Sequence, residues 1–174
     1  VFNLDSGTLT LNFNEVVNAS SVVVSGLSLK ASSTASPCLV VSQANSSTIN
    51  GFSIDIQLST WELNAVKSDG NCFANLSTSF LEVRSAFITD MAPNSVQANA
   101  SIPASMFIAQ TLRPMLVAYA FDLNAGTVTL TFSETVRVST IQITSLTLHA
   151  MAAYDPASSL SFYKTTYKHC LNTQ

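Results

Sequence analysis

The chain has 174 residues, 47% of them apolar and only 10% charged, with a net charge of −3. Ten phenylalanines exclude a disordered chain, and seven basic residues leave no electrostatic footprint for nucleic acid or anionic lipid. No apolar run approaches the ~18 residues a membrane span needs.

In place of charge, 26 Ser and 18 Thr make up about a quarter of the sequence. The chain opens at Val1 without a leader pattern, and so reads as a processed product or a piece of something longer.

Taken from the start, Leu9, Leu11 and Phe13 alternate with Thr8, Thr10 and Asn12, the period of a strand with one buried and one wet face. The tract Asp5-Ser6-Gly7 before it is hairpin chemistry. A second strand is expected through Val22, Val23 and Val24 and on to Leu27 and Leu29. Asn50-Gly51 signals a turn into a strand with Phe52, Ile54, Ile56 and Leu58 on one face. Ser59-Thr60-Trp61-Glu62 is a capping box that opens a short helix through Lys67, with Trp61 read as a core or helix-packing residue and a sugar platform as the alternative. A further strand is expected over Phe80 to Ile88, closed by the turn residues Asp90 to Asn94. Pro103 and Pro114 bracket a boundary, and Met115, Val117 and Tyr119 begin another strand.

That last strand leads into a repeat. Residues 2–29, FNLDSGTLTLNFNEVVNASSVVVSGLSL, align without gaps on residues 121–148, FDLNAGTVTLTFSETVRVSTIQITSLTL, with 12 of 28 positions identical. The second copy settles which valines face inward. Val22-Val23-Val24 correspond to Ile141-Gln142-Ile143, so Val22 and Val24 point in and Val23 points out. Short strands at this spacing predict an all-β fold of tandem immunoglobulin-like β-sandwich repeats. One is near-complete over 1–108, its first strand largely missing; the other is the N-terminal half of a repeat over 109–174. The missing strands are expected from repeats that continue in the same polypeptide or from another chain by strand addition.

Three cysteines, Cys38, Cys72 and Cys170, are read as a Cys38–Cys72 disulfide and an odd thiol at Cys170 whose partner lies outside the chain; buried free thiols are the alternative. No Cys or His spacing fits zinc. Four Asn-x-Ser sequons begin at Asn18, Asn45, Asn75 and Asn99. With 13 Asn and so much Ser and Thr, about three would arise by chance. Position carries the argument instead: all four fall in polar or turn-like stretches where a covalent glycan fits.

Catalytic chemistry is hard to place. His149 and His169 belong to no metal or triad pattern. Glu15 and Glu134 sit at equivalent repeat positions in different domains, which points to structure rather than to a paired-carboxylate cleft. Asp90 and Asp122 are the best candidates for calcium, without a dense ligand run around them. The expectation is therefore no enzyme, no metal and no cofactor.

Phe121 to Val136 resembles the opening of an Ig-like surface repeat, and Trp61 to Lys67 and Ile88 to Asn94 resemble its later segments. Such repeats occur in tandem in extracellular proteins of microalgae and related protists, mastigoneme-type filament proteins among them, and are similar to bacterial surface Ig-like repeats. Pro93 stands where that pattern has Gly. The resemblance implies a structural or adhesive role with no catalytic residues to carry over. The expected function is a structural subunit of an extracellular glycosylated filament or coat, its partners being copies of itself or adjacent repeats, with no nucleic acid and no membrane insertion. The alternatives are an adhesin or receptor ectodomain that binds a glycan or protein, and the non-catalytic region of a secreted enzyme.

Overall fold

A computed structural model describes residues 1–149 and 159–161; the expectations for His169 and Cys170 lie outside them. The fold is mostly β, with 39% strand and one α-helix among the described residues. Two compact units divide it, Val1–Arg113 and Pro114–Gln174.

The first unit starts as a hairpin. β1 (Phe2–Asn3) and β2 (Thr8–Val17) pair antiparallel, Phe2 opposite Leu9. The turn is built by Asn3, whose Oδ1 accepts the Asp5 N–H at 3.0 Å and the Ser6 N–H at 3.3 Å. Gly7 closes it at φ 72°, a backbone region that costs a residue with a Cβ. β3 (Leu27–Lys30), β4 (Pro37–Val40), β5 (Asn45–Ser46) and β6 (Gly51–Gln57) follow. After the helix α1 (Thr60–Asp69) come β7 (Phe80–Val83), β8 (Asn99–Pro103) and β9 (Phe107–Ile108). One sheet has the order β5-β6-β2-β1-β9 and the other β4-β3-β7-β8.

Both sheets feed one buried cluster, with Leu9, Ile54 and Ile56 from the first and Leu27, Leu29 and Leu81 from the second. Phe2 packs edge-on against Phe73 at 4.8 Å. Each fully buried side chain of this size contributes about 1.5–3 kcal/mol.

Four expectations need correction. Val22 to Val24 are not a strand. The chain crosses there from one sheet to the other through two 3-10 turns, Ala19–Ser21 and Val24–Gly26. The Val23 N–H donates to the Phe87 carbonyl at 2.8 Å, and Gly26 lies so close that a Cβ would sit 2.7 Å from the Phe87 Cα. Tertiary packing overrides the β preference of the three valines. Their facing is as read: Val22 and Val24 pack on the core and Val23 is exposed. Phe52 is 59% exposed, because the β2–β6 ladder shifts register between Asn12 and Val17 and ends the alternation there. The strand at Phe80 stops at Val83, where a turn returns the Phe87 N–H to the Arg84 carbonyl and buries Phe87 and Ile88. Trp61 is 60% exposed; the inward positions of α1 are Glu62 and Val66.

The second unit holds two antiparallel pairs, β10 (Leu116–Asp122) with β11 (Thr127–Phe132) and β12 (Thr147–His149) with β13 (Ser159–Ser161). Its opening follows the first unit residue for residue. Phe121 pairs with Val128. Asp122 Oδ1 accepts the N–H groups of Asn124 and Ala125, and Gly126 has φ 61°. Two 3-10 turns, Val138–Thr140 and Ile143–Ser145, stand 119 residues after those of the first unit.

Candidate functional site

Covalent and ionic fasteners gather around α1. Ser59 Oγ accepts the Glu62 N–H, and Glu62 Oε2 in turn accepts the Ser59 N–H at 2.9 Å and its hydroxyl at 2.8 Å. The other carboxylate oxygen, Oε1, accepts the N–H groups of Ser42 at 2.7 Å and Gln43 at 2.9 Å, beyond the end of β4. Glu62 is 0% exposed. Burial works to raise its carboxyl, but the hydrogen bonds from Ser42, Gln43 and Ser59 outweigh burial and hold it below the ordinary glutamate range. A helix start is thereby clamped to the loop that leaves the second sheet.

At the other end of α1, Gly70 takes φ 73° as a left-handed cap. Asp69 Oδ1 then accepts the N–H groups of Asn71 and Cys72. Cys72 is buried and forms a disulfide with Cys38 of β4, with Cα atoms 6.4 Å apart and a sequence separation of 34. β4 and the loop that leaves it are thus tied to the segments at both ends of the helix.

The four sequon asparagines sit on four different elements. Asn18 is half-buried and caps the turn Ala19–Ser21 through its Oδ1, and Asn75 is exposed and caps the turn Leu76–Thr78 in the same way. Asn45 and Asn99 are exposed on β5 and β8.

Asp5 lies well below the ordinary aspartate range because the Thr111 hydroxyl, at 2.7 Å, and the Thr111 N–H, at 2.8 Å, donate to it. Asp90 is lowered by Asn94, whose side chain and N–H both donate to it. Each holds a loop. No group of three His, Cys, Asp or Glu able to hold a metal occurs among the described residues. Glu15 is exposed; Glu134 is half-buried in the other unit.

A cavity of about 320 Å³ opens in the first unit between β2 on one side and β7 and β8 on the other, lined by Leu11, Phe13, Phe80, Val83 and Ile102 among others. No side-chain acid, base or thiol lines it. Its lining is mostly apolar, with Thr10, Asn12, Ser79, Gln97 and Ser105 as the polar side chains.

Sequence reasoning found the capping box but missed what Glu62 does with its second oxygen. It also missed β4, β8 and β9. Nothing local marks the Ser42 and Gln43 N–H groups as partners, since they lie 20 and 19 residues away. No helix among the described residues is long and apolar enough to cross a membrane. Comparison with family models, with curated proteins and with solved structures finds no match.

Proposed function

We propose that this chain is a non-catalytic structural segment of an extracellular, glycosylated filament or surface coat, built from Ig-like β-sandwich repeats in tandem. The reading rests on one observation: the 28-residue stretch that recurs at an offset of 119 has the same Asx turn, left-handed glycine, hairpin register and paired 3-10 turns in both units, although β2 runs on to Val17 and β11 stops at Phe132. A unit used twice along one chain is the basis of an end-to-end array.

Three further features support it. A disulfide suits an oxidising compartment. The surface is poor in charge and rich in hydroxyls. The cavity between β2, β7 and β8 is lined mostly by apolar side chains, with no side-chain acid, base or thiol among them. Mechanism is then mechanical: the Cys38–Cys72 bridge and the Glu62 clamp resist opening of the first unit under load. The sequence motifs resemble those of tandem Ig-like surface repeats, mastigoneme-type filament proteins among them.

Electron microscopy of the native material tests this. Regular fibres that bind antibody to this segment are expected; a dispersed, monomeric antigen overturns the reading.

A further inference from the structure

We propose that Asn45 and Asn99 carry N-linked glycans that shield two outer sheet edges from pairing with other chains. This rests on the extracellular reading above and adds to it which asparagines are modified and what the sugars do.

The two residues occupy matching places in the topology. β5 is an outermost strand of the five-stranded sheet and β8 an outermost strand of the four-stranded one. An outermost strand exposes backbone N–H and C=O groups that recruit foreign strands, and proteins usually blunt such edges with charge or proline. None of the four outermost strands here, β4, β5, β8 and β9, contains a charged residue. β4 begins on Pro37 and is fastened by Cys38; β5 and β9 are each two residues long, and of these two only β5 carries a sequon. β8 is the longest of the four at five residues, and its one proline is its last residue. A bulky sugar at the first residue of β5 and of β8 does what charge does elsewhere.

The asparagines themselves point the same way. Asn18 and Asn75 have a conformational reason to be Asn, since each caps a 3-10 turn. Asn is disfavoured in strands, yet Asn45 and Asn99 sit in them, exposed. The Asn45 side chain pairs with no group among the described residues. Asn99 uses its oxygen, which accepts the Ser101 N–H at 2.9 Å, just as Asn18 and Asn75 use theirs on Ser20 and Ser77; its place on an edge strand is what sets it apart, and its Nδ2 is left for substitution. In the transfer step Nδ2 bonds to the anomeric carbon of an oligosaccharide carried on a lipid diphosphate. The carbon–phosphate oxygen bond breaks, the lipid diphosphate leaves, and the amide gives up one proton.

The test expresses the full chain through a eukaryotic secretory pathway. Peptide mapping after enzymatic glycan release reads the Asn-to-Asp mass change at each sequon, and sedimentation reads association. Occupancy at Asn45 and Asn99 is expected. The double variant Asn45→Gln/Asn99→Gln is expected to shift from monomer to growing oligomers at unchanged thermal midpoint, whereas Asn75→Gln does not. Ser47→Ala/Ser101→Ala removes the same sugars while keeping both asparagines, and is expected to behave like the double Gln variant. Bare Asn45 and Asn99 on a secreted, disulfide-bonded chain overturn the inference and leave the extracellular reading standing. So does a double variant that remains monomeric. Retention in the cell with free Cys38 and Cys72 thiols overturns the extracellular reading itself.

Discussion

Residues 2–29 and 121–148 follow one backbone path with very different burial. Phe2 is 1% exposed and its counterpart Phe121 is 45% exposed; Leu9 is buried and Val128 only half-buried. The turn, the register and the 3-10 steps are the same because they are made from contacts within a few residues: an Asx oxygen, a left-handed glycine and short backbone hydrogen bonds. Burial differs because it needs distant partners. β2 pairs with both β1 and β6, and Phe2 meets Phe73 and Phe107, whereas β11 pairs with β10 alone among the described residues. Local conformation and core formation are thus separable in this chain.

The largest test of that separation is a pair of truncations. Phe2→Ala is expected to cost about 3–5 kcal/mol in urea unfolding followed by circular dichroism. Phe121→Ala is expected to cost less than about 1 kcal/mol. Equal losses break the comparison.

Next comes the bridge within the first unit. Cys72→Ser opens a loop of 34 residues and is expected to cost about 3–4 kcal/mol on chain entropy, with faster proteolysis of the first unit. Unchanged stability and protease resistance would show that β4 is held by its ladder alone.

Glu62→Ala takes the buried carboxylate acceptor away from the Ser42, Gln43 and Ser59 N–H groups and is expected to cost about 2 kcal/mol. The carboxyl is held below its unfolded value, so its contribution is full above the ordinary glutamate range and is lost as pH falls through and below it. Asp5, lowered by Thr111, and Asp90, lowered by Asn94, act in the same direction. Glu62→Gln is therefore expected to flatten the acid limb of the stability profile; an unchanged limb removes Glu62 from the account.

The smallest effect is the most selective. Gly7→Ala meets both the positive φ and Leu63, 3.1 Å from the added carbon, whereas Gly126→Ala meets the positive φ with nothing within 4 Å. The second is expected to cost about 1 kcal/mol, the conformational term alone, and the first somewhat more. A difference of the opposite sign would show that the two turns are not equivalent.

Much was legible from residues alone. Thr8 to Phe13, Gly51 to Leu58 and the Ser59 capping box announce themselves because alternation and capping are short-range signals. The Asp5 and Asp122 turns belong to the same class. Where reading failed, a long-range contact had intervened. Val22 to Val24 carry a strand's composition but lie where the chain must change sheets beneath Phe87. Phe52 continues an alternation that a bulge in β2 cuts off. β8 and β9 have little periodicity and exist because β7 and β1 offer edges to pair with.

Hairpin chemistry, the repeat and the cap at Ser59 are written into neighbouring residues, since each is closed by a bond spanning a few positions. Which side chains became core, that Glu62 and not Trp61 turned inward, and which asparagines came to lie on sheet edges followed from the folded arrangement. Those outcomes depend on groups tens of residues apart being brought together, and a pattern confined to adjacent positions carries no record of that meeting.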